Sequence, residues 1–337
     1  MRTRWIVFLG GSLGLIACAL WAIGLAIYQP RVDLERLAWY PDHFIAQNNS
    51  YWARELRLSA ILLAVAALVI VAGWHRRTVG PAVAWIGADV LLDRLGVAGE
   101  TAALIAGGAA FAAWLLIAFL LPKVARREYP AAVVCVALAV AAAHLQTPDQ
   151  HVPPAVAVSG AILTAAFTTA ALLLAHLANP ARPGLLAVLM VCAPLMAGIV
   201  WWRYFNGEVT TTPQLFLLII APATLLLLAV TYLTRRCARP MILIGVPIGA
   251  FVMAVATIVM VVLGAPVADL LTAASGNPPV HAADTDVVIA LYALVGGVLT
   301  ALFMDPVTRP APGAGPITSD SAFAADYPSS SDRPRAA

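Results

Sequence analysis

The chain has 337 residues, 62% of them hydrophobic and only 11% charged, with a formal net charge of +3. An ordinary soluble domain carries roughly a quarter of its residues as charges, so a soluble enzyme, a disordered chain and a disulfide scaffold are excluded. What fits is an all-α integral membrane protein, a polytopic bundle of about ten transmembrane helices, because several apolar runs approach or exceed the ~20 residues that cross a bilayer.

In chain order the predicted spans are 5–28, 58–74, 79–99, 101–121, 131–145, 155–177, 185–202, 214–233, 241–264 and 287–304. The first follows Arg2 and Arg4, as a signal peptide would, and Leu15-Ile16-Ala17-Cys18 resembles a lipoprotein cleavage box. Its apolar run nevertheless continues to Tyr28, past the ~7–15 residues of a signal h-region, so a retained anchor is expected. The third span is interrupted by charge, and the fifth is short. Cys18, Cys135, Cys192 and Cys237 have neither metal spacing nor the pattern of a disulfide framework, and read as small apolar fillers.

The basic residues set the orientation. Alternate loops hold Arg2, Arg4, Arg76, Arg77, Lys123, Arg126, Arg127, Arg182, Arg235, Arg236 and Arg239, and the tail adds Arg309, Arg333 and Arg335. The opposite set is Arg31, Arg36, Arg54, Arg57, Arg94 and Arg203. The positive-inside rule then puts both termini in the cytoplasm of a cell-membrane protein, and parity requires the charged third span. Residues 1–304 form the membrane domain and 305–337, rich in Pro, Ser, Ala and Asp, a disordered cytoplasmic tail.

The longest exoplasmic loop, 29–57, mixes Trp39, Tyr40, Tyr51 and Trp52 with charges. It predicts a short interfacial helix near 32–39, with Asn49 or Ser50 capping the helix that enters the second span. A second exoplasmic loop covers 265–286, and its Gly276-Asn277-Pro278-Pro279 stretch predicts a turn or coil. Gly10/Gly14 and Gly245/Gly249 are GxxxG pairs that permit close helix approach. Pro81, Pro194, Pro222 and Pro247 lie within apolar runs, where proline removes a helical hydrogen bond.

The third span carries the most chemistry. At 100° per residue, Asp89, Asp93 and Glu100 fall on one narrow face if the helix is unbroken, with Trp85 at its edge and Arg94 far from it. A mid-span charge costs at least ~2.5–3.5 kcal/mol, so Asp89 should face protein or water. Gly96 and Gly99 favour the alternative of a shorter helix with Asp93, Arg94 and Glu100 at its end. A magnesium–diphosphate site on Asp89 and Asp93 lacks the second acidic motif it needs.

The span count, the prolines and the acidic face point to a transporter or permease for a small solute or lipid. Asp89 would carry a proton or cation and Asp93 would be its outer relay. No nucleotide-binding loop is present in the sequence, so the drive would come from an ion gradient or a partner ATPase subunit. A second class is a lipid-handling enzyme using Asp33, Asp42 or His43 of the first exoplasmic loop. The chain is similar to lipid-linked sugar transferases of the polyprenyl-phosphate type in that topology alone, without their motifs. A third class is a non-catalytic membrane subunit of a larger complex. No two histidines stand at i+3 or i+4, and neither metal nor cofactor nor nucleic acid is expected; the certain partner is the bilayer.

Overall fold

The computed structural model describes residues 2–31, 34–37, 40–46, 52–74, 76–122, 128–144, 154–179, 184–206, 212–234, 239–277 and 288–308. They form eleven α-helices and one two-stranded hairpin. The helices are α1 Arg2–Ile23, α2 Trp52–Ala72, α3 Val79–Arg94, α4 Glu100–Leu120, α5 Glu128–Ala143, α6 Pro154–Ala178, α7 Leu185–Asn206, α8 Thr212–Thr234, α9 Arg239–Leu263, α10 Ala265–Ser275 and α11 Ile289–Thr308. The hairpin pairs β1 Leu34–Leu37 with β2 Tyr40–Ala46. Four helical segments are long and apolar enough to cross a membrane, namely Trp5–Arg31, Trp52–Ala72, Glu100–Leu120 and Ala157–Ala178. Shorter apolar stretches lie within α5, α7, α8, α9 and α11. The chain is therefore a membrane-associated helical protein.

The centre of the bundle is α5. It packs against α6, α11 and α8, and nearly its whole length is buried. At 1.5 Å per residue its 16 residues reach about 24 Å, less than a ~30 Å hydrocarbon core. A helix sheathed in protein rather than lipid need not match that thickness, and its alanines let the neighbours close in. Around it run α1 against α2, α6 against α7, and α9 against α8 and α11. By contrast α4 touches chiefly α1, and Leu104, Ile105, Phe119 and Leu120 all stand exposed along it. An apolar surface of that kind suits lipid.

The glycine pairs permit close packing, as their spacing suggested. A side chain at Gly10 would meet Val71 and Ile70 of α2, and one at Gly249 would meet Met304 of α11. Gly14 lies under the indole of Trp114, whose Nε1 donates to Ala64 O on α2 at 3.0 Å. That bond fastens α4 to the bundle. Gly14→Leu is expected to displace Trp114 and cost about 1–3 kcal/mol as an overpacked contact, read as a lower melting temperature in detergent and altered tryptophan emission. Gly11, with open space beside it, should accept leucine without either change.

Three expectations need correction. The interfacial helix near 32–39 is instead a β-hairpin, with Leu34 opposite Ala46, Glu35 opposite Ile45 and Arg36 opposite Phe44. Pro41 pushes Tyr40 before it toward extended backbone, and Tyr40, Phe44 and Ile45 are good strand formers. The loop expected at 265–286 contains a helix, α10, begun by Pro266 in its first turn and ended where the turn was expected, at Gly276 in the left-handed conformation. The second span starts at Trp52, six residues earlier than its apolar run, because Arg54, Glu55 and Arg57 are buried within the helix. Asn49, Ser50, His151 and the tail from 309 onward lie outside the described residues.

Pro81 falls in the first turn of α3, where no intrahelical bond is lost. Pro194, Pro222 and Pro247 lie inside α7, α8 and α9. Thr168 and Thr169 bond back to the carbonyls of Thr164 and Ala165.

Candidate functional site

One end of the bundle gathers a buried polar cluster. Its foundation is the first two turns of α2, where Arg54 and Arg57 stand three residues apart and so share a helix face. Arg57 is wholly buried, with a relative exposure of 0%. Its long side chain reaches between the end of α1 and the end of α3. Room for it exists because residue 24 is glycine: a Cβ there would strike Arg57 Cγ. Just here α1 loosens into a π-helix over Gly24–Tyr28, closed by the Gln29 amide donating to Gly24 O. Such turns are frequent at functional positions.

The guanidinium has three partners. Nη2 lies 2.6 Å from Asp93 Oδ2, Nε lies 3.0 Å from Asp89 Oδ1, and Nη1 donates to Gln29 Oε1 at 3.2 Å. Asp89 and Asp93 are four residues apart on α3, so one turn presents both to the same arginine. Asp89 Oδ1 also accepts from Trp21 Nε1 of α1 at 2.8 Å. Trp21 stands edge-on to Trp85, with ring centroids 5.5 Å apart, forming an aromatic wall beside the carboxylate. Asp93 Oδ2 accepts a second bond from Asn277 Nδ2 at 3.2 Å.

The neighbouring charges are also engaged. Glu55 accepts from the Ile289 and Ala290 amides at 3.1 and 3.3 Å. These are the first amides of α11, whose preceding residue, Val288, has no side-chain acceptor. The carboxylate from α2 thus takes the place of an N-cap and meets the positive end of the helix dipole. Arg54 Nη1 donates to Thr272 Oγ1 at 2.5 Å. Arg54, Glu55, Arg57, Asp89 and Asp93 bring three carboxylates against two guanidiniums, all with their side chains away from solvent.

The predicted face on the third span is only partly present. Asp89 and Asp93 meet at Arg57, but Glu100 does not join them. The helix stops at Arg94, and the connection passes through Gly96 and Gly99, whose φ values of +66° and +99° favour glycine. Glu100 opens α4 and is exposed. The Gly99 amide donates to Ala26 O at 2.8 Å, docking this turn on the π-helix of α1. Arg94 donates to Ala274 O of α10 at 3.3 Å. Asp42 and His43 lie in β2, and Asp33 lies outside the described residues. Sequence reasoning missed Arg57, Gln29, Trp21 and Asn277. The signal for Arg57 was that Arg54, Arg57 and Arg94 all belong to the set that the positive-inside reading expects on the disfavoured side, where each needs a reason to be.

Comparison with known protein families, with curated proteins and with solved structures finds no match to this chain.

Proposed function

We propose that the chain is a ten-span transporter or permease-type protein of the cell membrane. Both termini are cytoplasmic in this reading, and the Arg57 cluster couples a proton or cation to the movement of a small solute or lipid. The alternation of basic loops supports placing the cluster end outside. So does the packing, which brings the ends of α1 and α3 together with the starts of α2, α4, α6 and α11.

The observation that carries the reading is the charge balance. Three carboxylates facing two guanidiniums leave one negative charge in excess, in a place removed from water. The dipole of α11 offsets about half a charge at Glu55. The remainder costs free energy in a low-dielectric setting and is relieved by a proton or a cation. Asp89 is the carrier, deepest in the cluster, and Asp93 relays from the helix end. The chain supplies no nucleotide loop, so the drive is an ion gradient or a separate ATPase.

The test is flux. Protein reconstituted in proteoliposomes under a pH gradient, and challenged with panels of amino acids, sugars, organic anions and lipids, should move protons or charge in response to one of them. Asp89→Asn keeps an acceptor for Trp21 and leaves Arg57 paired with Asp93, so it should fold normally. Its flux should fall by about 10²-fold or more, as for loss of a proton-transferring group. Undiminished flux in the folded variant rejects the coupling role. Turnover of a lipid that survives Asp89→Asn and is lost in Asp42→Asn moves the protein to the enzyme class.

A further inference from the structure

The eleven residues of α10 span about 16 Å, half a hydrocarbon core, so this helix is not a crossing. It leaves α9 at Gly264, where the ring of Tyr292 packs too close for any side chain, and it ends at Gly276 with φ +72°. Ala268, Thr272 and Ser275 face inward and are buried, whereas Pro266, Val267, Asp269, Leu270 and Ala273 are exposed. Ala268 and Leu271 of its inward face join a small apolar cluster with Leu58, Val288, Ala290 and Tyr292. Three polar tethers also hold it, two ending on Arg54 and Asp93 of the cluster and one on the exposed Arg94 beside it. Thr272 Oγ1 accepts from Arg54, Ala274 O accepts from Arg94 at 3.3 Å, and Asn277, just past the helix, donates to Asp93 at 3.2 Å. Ser275 Oγ is buried on the same side and, among the described residues, has no hydrogen-bond partner.

We propose that α10 is a lid over the Arg57 cluster, hinged at Gly264 and latched by the Asn277–Asp93, Arg94–Ala274 and Arg54–Thr272 bonds. Releasing the latch opens a water path to Asp93 and then to Asp89. A short helix fixed by one small apolar cluster and three breakable polar bonds belongs to the low-stability end of a fold, where local opening occurs. The role of the opening rests on the coupling reading above, whereas the opening itself can be measured without any transport.

The measurement is cysteine accessibility in detergent, in a background with the four native cysteines replaced by alanine. Ser275→Cys, a near-isosteric change, reports on the inward face of α10, and Ala273→Cys on its exposed face. A soluble maleimide should label Ser275→Cys at least about tenfold more slowly than Ala273→Cys. Adding Asn277→Ala and Arg94→Ala should speed Ser275→Cys about tenfold, the effect of removing two net hydrogen bonds, and leave Ala273→Cys unchanged. If that combination does not fold, Asn277→Asp, which sets a second carboxylate against Asp93 at constant size, should give the same acceleration. Equal labelling of the two reporters in the parent protein overturns the lid, because no closed state exists. A slow Ser275→Cys rate that latch removal leaves unmoved also overturns it, since α10 is then a fixed part of the bundle. Repeating Ala273→Cys labelling on intact cells separates the two readings: a loss of labelling there rejects the proposed sidedness and leaves the lid result in detergent standing.

Discussion

Replacing Arg57 by methionine should destabilise the protein by about 3–5 kcal/mol, the range for breaking a buried ion pair from one side. Methionine fills much of the channel occupied by the arginine stem, so the loss is chiefly electrostatic. Asp89 keeps its bond from Trp21 and Asp93 keeps that from Asn277, but neither retains a countercharge within contact. The readouts are the melting temperature in mild detergent and the monodispersity of the purified protein. A compensated variant makes the prediction specific. Arg57→Met combined with Asp89→Asn and Asp93→Asn removes all three charges, and both amides still offer oxygen acceptors. It should regain most of the lost stability, because an apolar or neutral replacement of a whole buried ion network is often neutral or better. A single variant that melts like the parent would falsify the network as a source of stability. A compensated variant as unstable as the single one would trace the loss to packing of the arginine stem against Gly24.

The second large effect is expected at Glu55. Alanine there removes both acceptors from the first amides of α11, at a cost of about 3–6 kcal/mol for two hydrogen bonds to a charged group. Glutamine keeps one carbonyl oxygen and should lose about half as much. The location of the damage is as informative as its size. Hydrogen exchange should quicken at Ile289 and Ala290 in Glu55→Ala, while amides in the buried length of α5 stay protected. Uniform loss of protection across both helices would mean that Glu55 supports the bundle in some way other than capping α11.

Most of the helical framework is readable because its signal is composition. A long apolar run in a chain so poor in charge has few alternatives to a membrane helix, and the runs at 101–121 and 185–202 fall within a few residues of α4 and α7. The reading fails where charge and burial coincide. Residues 52–57 look like an exoplasmic lead-in to the second span because Arg54, Glu55 and Arg57 break the apolar run, yet each has a partner that lets it stay inside. The hairpin at 34–46 and the helix α10 were hidden for another reason. Both are short, and neither periodicity nor length separates a few residues of strand, helix or coil.

The site was legible in half. Spacing alone placed Asp89 and Asp93 on one face, and the cost of a mid-span carboxylate predicted a protein environment for Asp89. The partner is not in the spacing. Arg57 lies 36 residues from Asp93, and Asn277 lies 184 from it. No local rule connects residues so far apart. Glu100 leaves that face because positive φ angles at Gly96 and Gly99 end the helix, the alternative that those glycines offered.

These separations also order biosynthesis. Arg57 can meet Asp89 and Asp93 once α3 has left the ribosome, so the inserting hairpin neutralises its arginine within its own length. Glu55 must wait for Ile289, 234 residues later. A nascent chain stopped before α11 thus lacks the two amides that Glu55 binds, whereas Arg57 already has both of its aspartates.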